Sequence, residues 1–309
     1  MNAPALRIAP SIHVLERGWL SSNNVLLFGR DEVAMIDSGY VAHAEQTQTL
    51  VRHVLAQRGR TRLDLLVNTH LHSDHCGGNA ALQAEHDCRI AIPAAEAEKV
   101  RHWDEAALSY RATGQRCPRF SHTQTLRSGD VMCLGDLDWQ VLAAPGHDPH
   151  SLLFYCEQEG VLISADALWR NGFGIIFPAL DGESGFAEAR ATLELIRTLE
   201  VRTVIPGHGA PFHEVDDALA KAFSRLDYLQ ADPLRNAHNG IKVLVKFLLL
   251  DRGRIPLAEL PLMMREIPLL RITNERFMHM EEDELARWCV AQLEKAGVAR
   301  SDGTYLLDC

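Results

Sequence analysis

Short apolar runs closed by turn residues open the chain. Ile12–Leu15, Asn24–Phe28 and Val33–Ile36 read as strands, separated by Gly18, by Gly29-Arg30-Asp31 and by Asp37-Ser38-Gly39. The period then lengthens. Leu50, Val51, Val54 and Leu55 recur at helical spacing until Gly59 stops them. Leu63 to Asn68 is an apolar run of the kind a fully buried strand shows, and it leads straight into Thr69-His70-Leu71-His72. A polar cluster at the carboxyl end of such a strand stands where open α/β sheets place their sites.

The middle of the chain repeats this logic. Residues 94–112 read as helical and 113–125 as an irregular loop. Val131–Leu134, Trp139–Ala143, Ser151–Tyr155 and Val161–Ser164 are strand-like. A helix is expected over Phe186–Leu199, with Ala189, Leu193, Ile196 and Leu199 on one face, and a strand over Val201–Ile205 before Pro206-Gly207. From Glu214 the strand signal gives way to a helical stripe, Val215, Ala218, Leu219, Ala222, Leu226 and Leu229, which Asp232-Pro233 breaks. The rest is helix-rich until a small hairpin around Asp302-Gly303. This order of helices and hairpin resembles a winged-helix module, but basic and acidic side chains are in near balance over residues 241–309. The tail therefore lacks the positive excess that binding to phosphate backbones requires.

Composition narrows the class. A chain of 309 residues suits one large domain and a smaller one; the expected division is 1–212 and 213–309. Hydrophobic residues at 47% and charged residues at 23% are ordinary for a globular protein and exclude disorder as the main state. With 31 basic against 41 acidic side chains the net charge is −10, which argues against nucleic acid and anionic membrane as partners. No apolar run approaches the roughly 20 residues of a spanning helix. Met1 to Ile12, with Pro4 and Pro10, has no leader-like core, and the seven scattered cysteines form no C-x-x-C pair. Reduced thiols and a cytoplasmic location are the expectation.

The densest chemistry lies in His70-Leu71-His72-Ser73-Asp74-His75, four potential metal ligands within six residues. Imidazole suits zinc, and an adjacent carboxylate can serve a second ion. Further along, each just past an expected strand, stand His147 in Ala144-Pro145-Gly146-His147, Asp166 in Ser164-Ala165-Asp166, and His208 in Pro206-Gly207-His208-Gly209.

With its H-x-H-x-D-H motif and these later residues in the same order, the chain resembles the metallo-β-lactamase superfamily of αββα hydrolases over residues 12–212. The resemblance implies a four-layer αββα sandwich followed by a mainly helical C-terminal domain. It also implies two metal ions, zinc first, with iron or manganese as alternatives. His70, His72 and His147 would hold one ion and Asp74, His75 and His208 the other, with Asp166 bridging. A hydroxide shared by the two metals would attack an electrophilic carbonyl, Asp74 handling the proton. Asp37 matches an acidic position that orients ligand histidines. His150, in His147-Asp148-Pro149-His150, resembles part of the glyoxalase II pattern, with Pro149 where glycine is usual.

Departures select within the superfamily. The Asp74-His75 pair and the absence of a leader point away from secreted lactamases, and no flavin domain or nuclease motif is found. The thioesterase and lactonase group remains, glyoxalase II-like enzymes above all. The expectation is a hydrolase of a small acyl substrate, most readily a thioester, with lactone hydrolysis second and an iron-dependent persulfide dioxygenase as a third reading. A metal-free binding module is disfavoured because all seven ligands are present. Lys242, Lys246 and Arg271 are basic residues of the tail without a recognisable binding pattern. A homodimer is compatible with all of this, and the loop Trp169–Gly185 is expected to line the pocket.

Overall fold

The computed structural model describes residues 8–309; the expectation about a leader, and the first residues of the 1–212 division, fall outside them. Fourteen strands are present among the described residues. β1 (Ile12–Leu15), β2 (Asn24–Phe28), β3 (Val33–Ile36), β4 (Leu65–Val67), β5 (Arg89–Pro93) and β6 (Gln124–Leu126) form one sheet in that order. β1 to β3 are antiparallel neighbours; β3 to β6 run parallel. The second sheet takes β7 (Val131–Leu134), β8 (Leu137–Ala143), β9 (Leu152–Cys156), β10 (Val161–Ala165) and β11 (Thr203–Pro206), ordered β11-β10-β9-β8-β7.

Alternation along these strands makes the layers. In β3, Ala34 and Ile36 face the other sheet while Val33 and Met35 face the helices outside; in β9, Leu152, Phe154 and Cys156 point inward and Leu153 and Tyr155 outward. The inner core joins both sheets around Trp139, whose indole N–H donates to the Leu134 carbonyl at 3.0 Å. Val51, Val54 and Leu55 of the Ala44–Gln57 helix and Leu82 of the Asn79–His86 helix cover the first sheet. The Phe186–Thr198 and Val215–Gln230 helices cover the second through Leu193, Ile196, Leu219 and Leu226. The architecture is the expected αββα sandwich.

Beyond residue 230 a separate apolar cluster forms. Asp232 caps the Pro233–Arg252 helix through Leu234 N–H, and Pro233 sits in its first turn. Ile241, Leu244, Val245 and Leu248 of this helix pack with Leu270, Leu285, Cys289 and Leu306. A three-stranded sheet closes the region, β12 (Arg254–Pro256), β13 (Ala299–Ser301) and β14 (Tyr305–Asp308) in the order β12-β14-β13. The Val215–Gln230 helix belongs to the cluster under the second sheet rather than to this one. Among the described residues no helix is long and apolar enough to cross a membrane.

Two stretches differ from the sequence expectation. The helix expected over residues 94–112 stops at His102, where Trp103 takes a left-handed φ of 54° and Asp104 accepts from the N–H groups of Ala106 and Ala107. The irregular loop 113–125 ends in β6, which pairs with β5. β6 and β12 have only three residues each, and β6 is polar besides, too little for alternation to reveal them.

Candidate metal centre

All seven histidine and aspartate candidates meet at one end of the two sheets, on the segments that follow β4, β8, β10 and β11. After β4 the chain runs through Thr69 to His70, and His72 caps the short Ser73–Cys76 helix, so Asp74 and His75 leave from its first turn. Cys76 turns away from the cluster: its Sγ lies 3.2 Å from the Tyr110 hydroxyl and 3.7 Å from Cys117 Sγ, as a packing residue should.

Three overlapping groups of ligand atoms form, each within 4.8 Å: His70, His72 and His147; His70, His75 and Asp166; Asp74, His75 and His208. Asp166 stands between the outer two. One carboxylate oxygen is 3.3 Å from His147 Nε2, and the other is 3.4 Å from His75 Nε2 and 3.9 Å from His208 Nε2. Asp74 Oδ2 lies 3.2 Å from His208 Nε2.

Most of the rings are held by the far nitrogen; His208 Nδ1 is buried without a hydrogen-bond partner. Asp37 accepts from Thr69 N–H at 2.9 Å and from the Thr69 hydroxyl at 2.8 Å, and its Oδ2 is 2.8 Å from His75 Nδ1. His75 thus turns Nε2 into the cluster, where that atom is buried without a hydrogen-bond partner. His147 donates from Nδ1 to the Ile175 carbonyl at 2.5 Å, leaving Nε2 facing Asp166. For His72 the roles reverse: Nδ1 faces His70 and His147, and Nε2 lies 3.6 Å from Asp148 Oδ2. Imidazole nitrogens and carboxylate oxygens converge here at 3.2 to 3.9 Å, mostly oriented by outer partners, and His75 Nε2 makes no hydrogen bond of good geometry; this donor set suits a divalent ion.

The backbone is strained to achieve this. Asp37 and Ala165 take positive φ of 57° and 46°, a region that costs an ordinary side chain about 1–2 kcal/mol. The turn at Ala165 aims Asp166 into the cluster. Gly207 permits the approach, since a Cβ there would stand 2.3 Å from Asp166 Oδ1.

The sequence candidates fare unequally. Asp37 lies against His75, one of the candidate ligands. His150 does not join the cluster: its Nε2 lies 3.6 Å from Glu96, and Asp148 Oδ1 accepts its backbone N–H at 2.7 Å. That turn, tightened by Pro149, leaves Asp148 rather than His150 beside His72. Sequence reasoning missed Asp148; its one signal was adjacency to His147.

Charges in the cluster are matched locally. Burial pushes His70 well below the ordinary histidine range, and takes His147 down to about 4. Burial opposes protonation of His75 as well, but Asp166, Asp37 and Asp74 outweigh it and raise its pKa well above the ordinary value. Asp166 and Asp74 stay ionised, their own burial being outweighed by His75 and His208. In the metal-free protein His75 therefore keeps a proton that His70 and His147 have lost. Its contribution to stability is complete below about pH 6.5 and fades as pH rises through its elevated pKa. Loading the Asp74/His75/His208 group must expel that proton. Zinc uptake by this group should strengthen from pH 6 to 8 more steeply than uptake by the other group. Proton release measured while zinc is added in single equivalents checks this; equal release for both equivalents would contradict it.

A cavity of about 350 Å³ opens on the cluster. Trp19, Trp169, Phe173 and Phe177 wall one part of it, and Val243, Leu244 and Phe247 of the Pro233–Arg252 helix another. Of the expected Trp169–Gly185 loop only the part from Trp169 to Phe177 lines the cavity, and side chains beyond residue 212 complete it. Trp19 stands at the mouth, half exposed, with its ring 6.0 Å from that of His208.

Comparison with known proteins agrees with the geometry. The family model described as "Metallo-beta-lactamase superfamily" matches residues 17–208. The hydroxyacylglutathione hydrolase of Rhodopseudomonas palustris (strain BisB18) is 31% identical over 142 residues, 46% of this chain and 48% of that protein. The chain thus spans about half the length of the curated relatives it matches. Among solved structures, a beta-lactamase domain protein from Burkholderia ambifaria superposes with a TM-score of 0.60 at 20% identity, over 98% of this chain and 94% of that one. A metallo-beta-lactamase family protein from Thermus thermophilus gives 0.58 at 20% identity, over 97% and 99%. These two likenesses concern the fold, and they extend through the C-terminal region. By its residues 17–208, this chain belongs to the metallo-β-lactamase superfamily.

Proposed function

We propose that the protein is a two-metal hydrolase that cleaves a thioester or a similarly reactive acyl bond. The observation that carries this reading is the placement of Asp166, one oxygen toward His147 and the other toward His75 and His208. His70, His72 and His147 would hold one ion, and Asp74, His75 and His208 the other. Ions bound there supply Lewis acidity and lower the pKa of water toward about 7.

The chain's own residues do the rest. Asp37, Asp148, Thr69 and the Ile175 carbonyl fix the imidazole rings before substrate arrives. Asp74 is an ionised carboxylate on the cavity wall, suited to accept a proton from the attacking water. A thiolate leaves without strong acid assistance, and among the described cavity residues no neutral carboxylic acid stands ready to protonate an alkoxide. This favours thioesters over lactones. The match to a hydroxyacylglutathione hydrolase supports the same choice.

Metal analysis of purified protein, followed by kcat/KM for acyl thioesters and acyl-homoserine lactones on one preparation, tests the reading. Two ions per chain and faster thioester cleavage are expected. A hundredfold advantage for lactones, about 2.7 kcal/mol in transition-state binding, would reverse the ranking. A single iron without zinc, in protein made with both available, would favour the dioxygenase chemistry instead.

A further inference from the structure

Arg225 breaks the rule its helix otherwise obeys. Ala218, Ala222 and Leu229 form the buried stripe of the Val215–Gln230 helix, and Arg225 falls in the same row at a position where that stripe calls for an apolar side chain. The helix lays it against the cavity wall. A Cβ on Gly172 would come within 2.8 Å of Arg225 Cδ, and the guanidinium carbon lies 5.7 Å from the centre of the Phe173 ring.

Apart from the face of the Phe173 ring, nothing among the described residues answers its charge. Arg225 Nε is buried without a hydrogen-bond partner, and no carboxylate pairs with the guanidinium among the described residues. Its neighbours differ: Arg170 pairs with Glu214, Arg190 with Asp227, Lys221 with Asp217 and Arg235 with Asp232. Burial lowers the pKa of Arg225, and no acid offsets the effect. A half-buried cation with no ion pair and a buried, unpartnered Nε leaves donors that a ligand could meet.

The cavity indicates which ligand. Arg225 is its one arginine or lysine among the described lining residues, and its carboxylates, Asp74 and Asp166, belong to the metal cluster. Phe173, Ile175 and Val243 are apolar, while Asn171 and Asn239 add amides. Of the basic residues of the tail noted in the sequence, Lys246 pairs with Asp308 and Arg271 with Glu275, and Lys242 does not line the cavity.

We propose that the substrate carries an anionic group, carboxylate or phosphate, joined to the scissile carbonyl by an apolar spacer, and that Arg225 binds this group. The proposal rests on the hydrolase reading above and names its substrate class. Planar donor pairs on guanidinium suit both anions, and holding the charge at Arg225 keeps it off the metal cluster.

The test compares thioesters of dicarboxylic acids of several lengths, each with its far carboxylate free or capped as the methyl ester, on metal-loaded enzyme. Wild type should prefer the free acid by tenfold or more in kcat/KM at its best length, and Arg225→Gln should bring that ratio close to one. Arg170→Gln, which removes a nearby cation outside the cavity, should keep the wild-type ratio. The same comparison with a terminal phosphate identifies the anion. No preference in wild type, or an undiminished preference in Arg225→Gln, overturns the proposal. If no thioester of any length is cleaved, the hydrolase reading fails separately, and a binding measurement still decides on Arg225. Inorganic phosphate should raise the melting temperature of wild type more than that of Arg225→Met, compared with chloride at equal ionic strength; an equal rise overturns the proposal. Arg225→Met should melt no lower than wild type in chloride, which separates a lost anion site from a damaged fold.

Discussion

Asp166→Ala should strip metal from both halves of the cluster and lower kcat/KM by about a thousandfold or more, near 4 kcal/mol of transition-state stabilisation. The carboxylate faces three imidazoles, His147 on one side and His75 and His208 on the other. Without it neither group retains a bridging oxygen. His75 also loses the strongest of the carboxylates that raise its pKa, so the metal-free variant should protonate His75 less readily than wild type. Asp74→Ala is the informative contrast. Asp74 lies beside His208 and His75 and belongs to only one group, so it should empty mainly that group. Elemental analysis of the two variants after identical dialysis checks the pair. Equal metal loss in both would refute a bridging role for Asp166.

Asp37→Ala should cost about 4 kcal/mol of folding stability in metal-free protein, within the 3–5 kcal/mol expected when one partner of a buried ionic network is removed. Asp37 is buried, and three donors converge on it: Thr69 N–H, the Thr69 hydroxyl and His75 Nδ1. Alanine leaves all three unmet, each a desolvated group without compensation. It also keeps the strained left-handed backbone without the short polar side chain that tolerates it. Asp37→Asn retains shape and one acceptor and should lose roughly half as much. Metal affinity should fall by about 10–100-fold as His75 loses its orientation. Urea unfolding of the chelated proteins measures the first effect. A change within about 0.5 kcal/mol for Asp37→Ala would mean that the network does not support the fold.

The strands β1, β2, β3 and β7 were legible residue by residue, because their apolar runs end at glycine or aspartate turns. The helical stripe from Val215 to Leu229 was equally plain, since a buried face at a 3.6-residue period is written directly into side-chain identity. The candidate metal ligands were legible for a different reason: four of the seven lie within six residues, and the others stand in the order of the family the chain resembles.

What the tertiary structure decided are the pairings that sequence distance hides. Asp148 rather than His150 meets His72, because a turn after His147 reverses which side chain points inward. β5 and β6 exist because parallel neighbours supply their hydrogen bonds, which no local pattern announces. The sequence pattern did not single out Arg225. Only the packing of the Val215–Gln230 and Pro233–Arg252 helices around the cavity puts it on that wall with no counter-charge. The chain by itself determined the donors and the framework that carries them, since both depend on local residue type and period. Which oxygen faces which nitrogen, and which charge is left without an ion pair, arose only when segments distant in the chain were packed together, because Coulomb and hydrogen-bond energies depend on distance and direction in space.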